Sequence, residues 1–246
     1  VKIEVKDGSI VDSRIAKLVP NKFVDVRRRA KAIIIELEKS NFLWVALGMT
    51  GHFRYARKSE INNLGVFEKF VAAKFYLEDG SLLTYNEIRK FGSIKLMDKA
   101  KLDLNSAKIG PEPLSEEFNL DLFKKMLEKK SKSTLKTRLM DQHFIAGIGN
   151  IYAQEVLYRS NVGPQRKIGS LSDLERKRVY EQIREVLKEA IKHKGSTVDN
   201  YTNIDGIGDY QNYLQVYQKV KCPKNHQLKN MIIGGRNTFY CLVCQK

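Results

Sequence analysis

The chain has only three cysteines, Cys222, Cys241 and Cys244, and all fall within its last 25 residues. An odd, clustered set is a poor disulfide framework. With His226 they form a C-x-x-x-H knuckle and a C-x-x-C knuckle, fourteen residues apart. Gaps of two or three residues let both side chains of a knuckle reach one ion from a tight turn, and thiolates with imidazole suit tetrahedral zinc. The alternative, four unrelated residues with His226 on the surface, leaves every cysteine in the chain unexplained. Four protein ligands close the coordination sphere, so one structural zinc ion is expected, and a module this small needs it to fold. Between the knuckles, Met231–Tyr240 reads as a β-hairpin with Gly234-Gly235 at its tip. Arg236 beside that tip would present a guanidinium to a partner such as a phosphate.

Charge points the same way. Lys and Arg number 44 against 28 acidic residues, a net charge of +16 over 246 residues. A basic surface serves solubility, but at this magnitude polyanion binding explains it better, because each phosphate contact releases a counterion. After Asp209 no acid follows, while Lys219, Lys221, Lys224, Lys229, Arg236 and Lys246 do. No run approaches the roughly 20 apolar residues of a membrane span, and no signal-peptide pattern opens the chain. An intracellular protein that binds nucleic acid, with no membrane role, is expected.

Hydrophobic patterning divides the chain. AIIIEL (32–37) and FLWVALGM (42–49) read as a buried hairpin joined by Glu38-Lys39-Ser40-Asn41. Phe70–Leu77 and Ser81–Tyr85 read as a second, turning at Asp79-Gly80. Gly110-Pro111-Glu112-Pro113 marks a boundary. Beyond it the period becomes helical. Phe118, Leu122, Phe123, Met126 and Leu127 share one face across 116–129, and Ser172 with Glu175 forms a capping box for a long helix carrying Val179, Ile183, Val186 and Ala190. Gly147 and Gly149 precede another helical run, Asn150–Tyr158. They permit positive φ, and their amides at a helix start can face an anion. On spacing alone a phosphate cradle and a helix-packing turn both stand.

These segments resemble a known family. LMDQHFIAGIGNIYAQEVLY (139–158) resembles the helix–two-turns–helix of formamidopyrimidine-DNA glycosylase and endonuclease VIII. CPKNHQLKNMIIGGRNTFYCLVCQ (222–245) is similar to that family's zinc finger. VRRRAKAIIIEL (26–37), LGMTGHFRY (47–55) and IRKFG (88–92) look like its β-sandwich motifs, and GPEPLS (110–115) like its interdomain linker. Bacterial members usually carry two C-x-x-C knuckles. A Cys-His-Cys-Cys finger resembles the endonuclease VIII-like branch of vertebrates and large DNA viruses.

The resemblance implies an α+β fold: an N-terminal β-sandwich catalytic domain (1–109), a helical domain with the helix–two-turns–helix (110–217) and a zinc finger (218–246), with DNA lying between sandwich and helices. It implies a monomer that binds damaged duplex or single-stranded DNA and abasic sites, in the nucleus, the nucleoid or the cytoplasm, or encoded by a virus and acting in its host. Such enzymes extrude the damaged nucleotide, attack its sugar with an N-terminal amine and pass through a Schiff base. Oxidised pyrimidines and hydantoins are the expected lesions. Lys31 matches the lysine beside the lesion phosphate, and Asn150 and Arg236 match the other phosphate clamps, with Gly147 and Gly149 in the adjoining turn. Met49, Arg89 and Phe91 match the three residues that fill the hole left by the base. Turn or core packing is the plainer role for Met49 and Phe91. His143 stands where many relatives have lysine, and Glu155 reads either as a carboxylate backing the residues that touch DNA or as a solvated acid. Residues 195–213 match a stretch that covers an extruded purine in some relatives, and their Gly and Asp content suits a mobile loop.

The start departs from the pattern. Members open with Pro-Glu-Gly-Pro or Val-Glu-Gly-Pro, and this sequence opens Val1-Lys2-Ile3-Glu4. Either residues precede Val1, which is the expectation, or Val1 itself is the nucleophile. An α-amine, with a reference pKa of about 7.7–8.0, can form an imine. But a carboxylate at a fixed distance from the sugar is also needed, and Glu4 is out of register. Two rivals stand beside the enzyme: a catalytically inactive protein of the same fold that binds damaged DNA, and a zinc-ribbon RNA-binding protein.

Overall fold

The computed structural model describes residues 1–18, 21–61, 65–129, 132–196 and 208–246. Contacts divide the chain into two compact units, residues 1–107 and residues 108–196 with 209–246. The first seam lies between residues 107 and 108. The finger expected from 218 onward clusters with the helical segment.

The first unit is a β-sandwich. One four-stranded antiparallel sheet has the order β1 (Lys2–Val5), β6 (Val71–Tyr76), β7 (Leu82–Asn86), β5 (His52–Ala56). The other has the order β2 (Phe23–Arg29), β3 (Ala32–Leu37), β4 (Asn41–Ala46), β8 (Ser93–Met97). Ile35, Leu37, Leu43 and Val45 from one sheet meet Ile3, Ala73, Phe75 and Tyr85 from the other in a single buried core. The opposite face of the second sheet buries Ile34, Phe42 and Met97 under Leu102 of helix α1 (Lys99–Ala107). That two-sided burial explains why β3 and β4 are continuous apolar runs in sequence. The β6–β7 turn spans three residues, Glu78-Asp79-Gly80, with Gly80 at φ +80° and Leu77 donating to the Ser81 carbonyl. A two-residue turn at Asp79-Gly80 is therefore corrected by one position.

Among the described residues the second unit packs four α-helices. α2 (Leu120–Glu128) starts four residues later than its apolar pattern suggested, because the Asn119 side chain caps it by accepting from the Leu122 amide. α3 (Leu135–Leu139) is capped by Thr134. α4 (Asn150–Arg159) follows two turns at 140–149, and α5 (Asp173–Lys192) carries the Ser172–Glu175 capping box read from the sequence. Phe123, Leu139, Phe144, Ile148, Leu157, Val179, Ile183 and Val186 form its core. A hairpin of β9 (Lys229–Ile233) and β10 (Arg236–Tyr240) turns at Gly234 (φ +59°) and Gly235 (φ +70°). Two positive-φ residues are what a type I′ turn requires. Of the stretch 195–213, residues 197–207 lie outside the described residues. No helix among the described residues is long and apolar enough to cross a membrane.

Candidate nucleic-acid interface and metal centre

Helix α4 assembles the candidate interface in the second unit, and each of its turns has a separate task. At its start, Asn150 Nδ2 donates to the Asn237 carbonyl (3.2 Å). One turn on, Gln154 Nε2 donates to the same carbonyl (3.2 Å), and Gln154 Oε1 accepts the Phe239 amide (2.6 Å). β10 is thereby docked on the N-terminal half of α4. Arg236, exposed at the first position of β10, stands one residue from the carbonyl that Asn150 holds. A helix N-terminus, whose first amides have no partner within the helix, then sits beside the Asn150 amide side chain and the strand that begins at Arg236. These groups can bind a phosphate.

The glycines split in their roles. The Gly147 amide donates to Gln142 Oε1 (2.9 Å), and Gln142 Nε2 donates to the Ile148 carbonyl (2.8 Å). The Gly147 N–H is thus engaged within its own turn, which its positive φ of +82° shapes. Gly149 is the N-cap residue of α4, extended at φ −116°. His143 lies exposed in the same turn, its Nδ1 bonded to the Lys108 carbonyl (2.6 Å).

Further along α4, Glu155 is fully buried and accepts the amides of Gln215 (2.8 Å), Val216 (3.0 Å) and Tyr217 (3.0 Å). It fixes the turn segment 215–217 that leads into the finger, and its burial removes the solvated-acid reading. Tyr158 then packs against Cys222, Cys241, Val216 and Leu228. The metal-ligating atoms of Cys222, His226, Cys241 and Cys244 all lie within 4.8 Å of one another. His226 Nδ1 is 3.6, 3.7 and 3.3 Å from the sulfurs of Cys222, Cys241 and Cys244. A tetrahedral site with zinc–sulfur and zinc–nitrogen bonds of ordinary length has a sulfur–nitrogen edge of about 3.5 Å. The four residues can hold one metal ion, and the donor set fits zinc.

One residue that the sequence did not flag stands behind Arg236. Lys136 of α3 has no exposed surface, and its Nζ donates to Thr238 Oγ1 (2.6 Å). The Thr238 hydroxyl donates in turn to the Arg236 carbonyl (3.0 Å). Burial first, and the neighbouring Arg236 charge second, push the Lys136 ammonium down to about 8. No local signal marks Lys136 in the sequence. Gln154 was detectable only as the residue one helical turn after Asn150.

In the sandwich unit, Met49 and Phe91 are 51% and 61% exposed, which removes core packing as their role. The Arg89 guanidinium lies 4.8 Å from the centre of the Phe91 ring and 3.5 Å from Met49 Sδ. The three residues form one exposed cluster on two turns, 48–50 and 88–92. Lys31 is exposed at the tip of the β2–β3 hairpin. The Val1 side chain packs on the sandwich core, and its amine donates to the Asn21 carbonyl (2.5 Å).

A sandwich followed by two turns between helices and a Cys/His finger docked on the second helix defines a helix–two-turns–helix DNA-repair protein. The comparisons agree. The formamidopyrimidine-DNA glycosylase N-terminal domain matches residues 2–94, and the H2TH domain of the same enzymes matches residues 109–202. The formamidopyrimidine-DNA glycosylase of Pasteurella multocida is 36% identical over 242 residues, covering 96% of this chain and 87% of that protein. That of Listeria monocytogenes is 36% identical over 241 residues, covering 96% and 86%. Among solved structures, Lactococcus lactis Fpg in complex with DNA containing an abasic site is 30% identical with a TM-score of 0.89, covering 100% of this chain and 92% of that one. The Thermus thermophilus MutM (Fpg) protein is 32% identical with a TM-score of 0.87, covering 99% and 90%. The chain belongs to the formamidopyrimidine-DNA glycosylase family. These relatives do not separate the endonuclease VIII-like branch from the rest.

Proposed function

We propose that the chain is a base-excision-repair DNA glycosylase with AP lyase activity. It extrudes oxidised bases, pyrimidines and hydantoins foremost, removes them and cleaves the strand at abasic sites through a Schiff base. The observation that carries this reading is the docking of β10 on α4, which sets Asn150 and Arg236 beside a helix N-terminus. Those two groups hold phosphates of the damaged strand, and Lys31 takes the phosphate beside the lesion. Met49, Arg89 and Phe91 occupy the space the base vacates. The exposure of Met49 and Phe91 supports that use, because apolar side chains held in water gain by entering a base stack. The nucleophile is the N-terminal amine of the mature protein, which attacks the sugar carbon and expels the base as an imine forms. Zinc on Cys222, His226, Cys241 and Cys244 supplies folding energy alone, since no ligand position is left for substrate.

The lesion preference rests on the Cys-His-Cys-Cys finger, which is shared with the endonuclease VIII-like branch. Ring-opened purines are the second reading, favoured by the Lactococcus lactis complex with DNA containing Fapy-dG (31% identity, TM-score 0.89). Excision from duplexes carrying an oxidised pyrimidine, a hydantoin, a ring-opened purine or 8-oxoguanine separates them. Faster release of the first two is expected. Faster release of the purine lesions would replace this reading with the second.

A further inference from the structure

Glu87 is a buried carboxylate, 3% exposed, at the end of β7 in the sandwich. No phosphate, metal or catalytic role accounts for it, yet every described hydrogen bond of its carboxylate goes to the two turns that carry Met49, Arg89 and Phe91. Its Oε1 accepts from the Thr50 hydroxyl and from the Arg89 amide (3.0 Å), and its Oε2 accepts from the Gly92 amide (3.0 Å). The Thr50 oxygen also accepts the Arg89 amide (3.1 Å), so one residue of each turn is tied to the other directly. The turns touch backbone to backbone. A Cβ on Gly48 would lie 2.7 Å from the Gly92 nitrogen, and one on Gly92 would lie 2.6 Å from Glu87 Oε2.

We infer that Glu87 is a positioning residue for base extrusion: its carboxylate locks turn 48–50 to turn 88–92, so that Met49, Arg89 and Phe91 enter the stack as one preformed wedge. The inference rests on the void-filling role given to those three residues. The chemistry fits the task. An ionised carboxylate is acceptor-only, and three donors converge on it from two loops. Its charge strengthens each of those bonds. A wedge assembled before binding loses little freedom as it inserts, whereas two independent turns would have to be ordered during insertion. Glu87→Gln keeps the shape but turns an N–H donor toward one set of donors.

The test uses the full natural protein and a duplex with 2-aminopurine beside the lesion, whose fluorescence rises as the stack opens. Single-stranded abasic DNA, which has no stack to open, is the second substrate. Glu87→Gln is expected to lower excision from duplex about tenfold and suppress the fluorescence rise, while single-strand cleavage stays within about twofold. Met49→Ala is measured in parallel. If Met49→Ala loses the fluorescence rise and Glu87→Gln keeps it, the Glu87 inference fails and the void-filling role survives. If Met49→Ala keeps the rise, the void-filling role itself fails. Equal loss on both substrates would make Glu87 a general stabiliser and overturn its positioning role. Should Glu87→Gln not fold, Thr50→Val removes one of the three donors and is expected to shift the same ratio in the same direction. An unchanged ratio there overturns the inference.

Discussion

A lysine with no exposed surface sits behind the arginine proposed to grip DNA, and its protonation is coupled to folding. Lys136 is pushed down to about 8 from an ordinary 10.5, by burial first and by Arg236 second. Between those values the unfolded chain binds more protons than the folded one, so this group's contribution to stability rises with pH. Below about 8 the buried ammonium weighs fully against the fold. The expected outcome is that melting of the protein, measured against Lys136→Met, shifts in favour of the native lysine between pH 8 and pH 10. Parallel curves would show that the group titrates normally. Lys136, Glu155 and Glu87 share a reason for being illegible in the sequence. The partners of Lys136 and Glu155 lie 102 and 60–62 residues away, and Glu87 joins two near amides to a Thr50 hydroxyl 37 residues away, so only the fold brings these donors and acceptors together. The metal ligands were legible because each knuckle closes within five residues.

Among elements, α4 does most to join site and finger. Asn150 and Gln154 hold β10, Glu155 holds the turn segment entering the finger, and Tyr158 packs on the metal cluster. The finger therefore presents Arg236 only while its own fold persists. Chelating the metal is expected to weaken binding to an abasic duplex at least as much as Arg236→Ala does. Arg236→Ala itself should lower the slope of log affinity against log salt by about one, the loss of a single phosphate contact. Metal release with unchanged affinity and slope would detach the finger from DNA binding. Element boundaries were readable where caps or periodicity are strong, as at Ser172 and along β3 and β4. β2 escaped hydrophobic patterning: FVDVRRR is an edge strand exposed along most of its length, so it shows no alternation.

At the scale of the molecule, two compact units, a net charge of +16 and a Cys/His finger match a family whose members work on damaged DNA. Charge and finger alone also fitted an RNA-binding zinc ribbon. The sandwich decides against it, since residues 2–94 match the glycosylase N-terminal domain. The remaining alternative is a protein of this fold that binds damage without chemistry. Borohydride reduction of the natural full-length protein on abasic-site DNA separates the two, because only an enzyme amine bonded to the sugar as an imine can be reduced to a stable adduct. The account predicts a covalent protein–DNA species, with the DNA attached to the N-terminal residue when the adduct is digested and its mass read. Tight binding with no covalent species would contradict it.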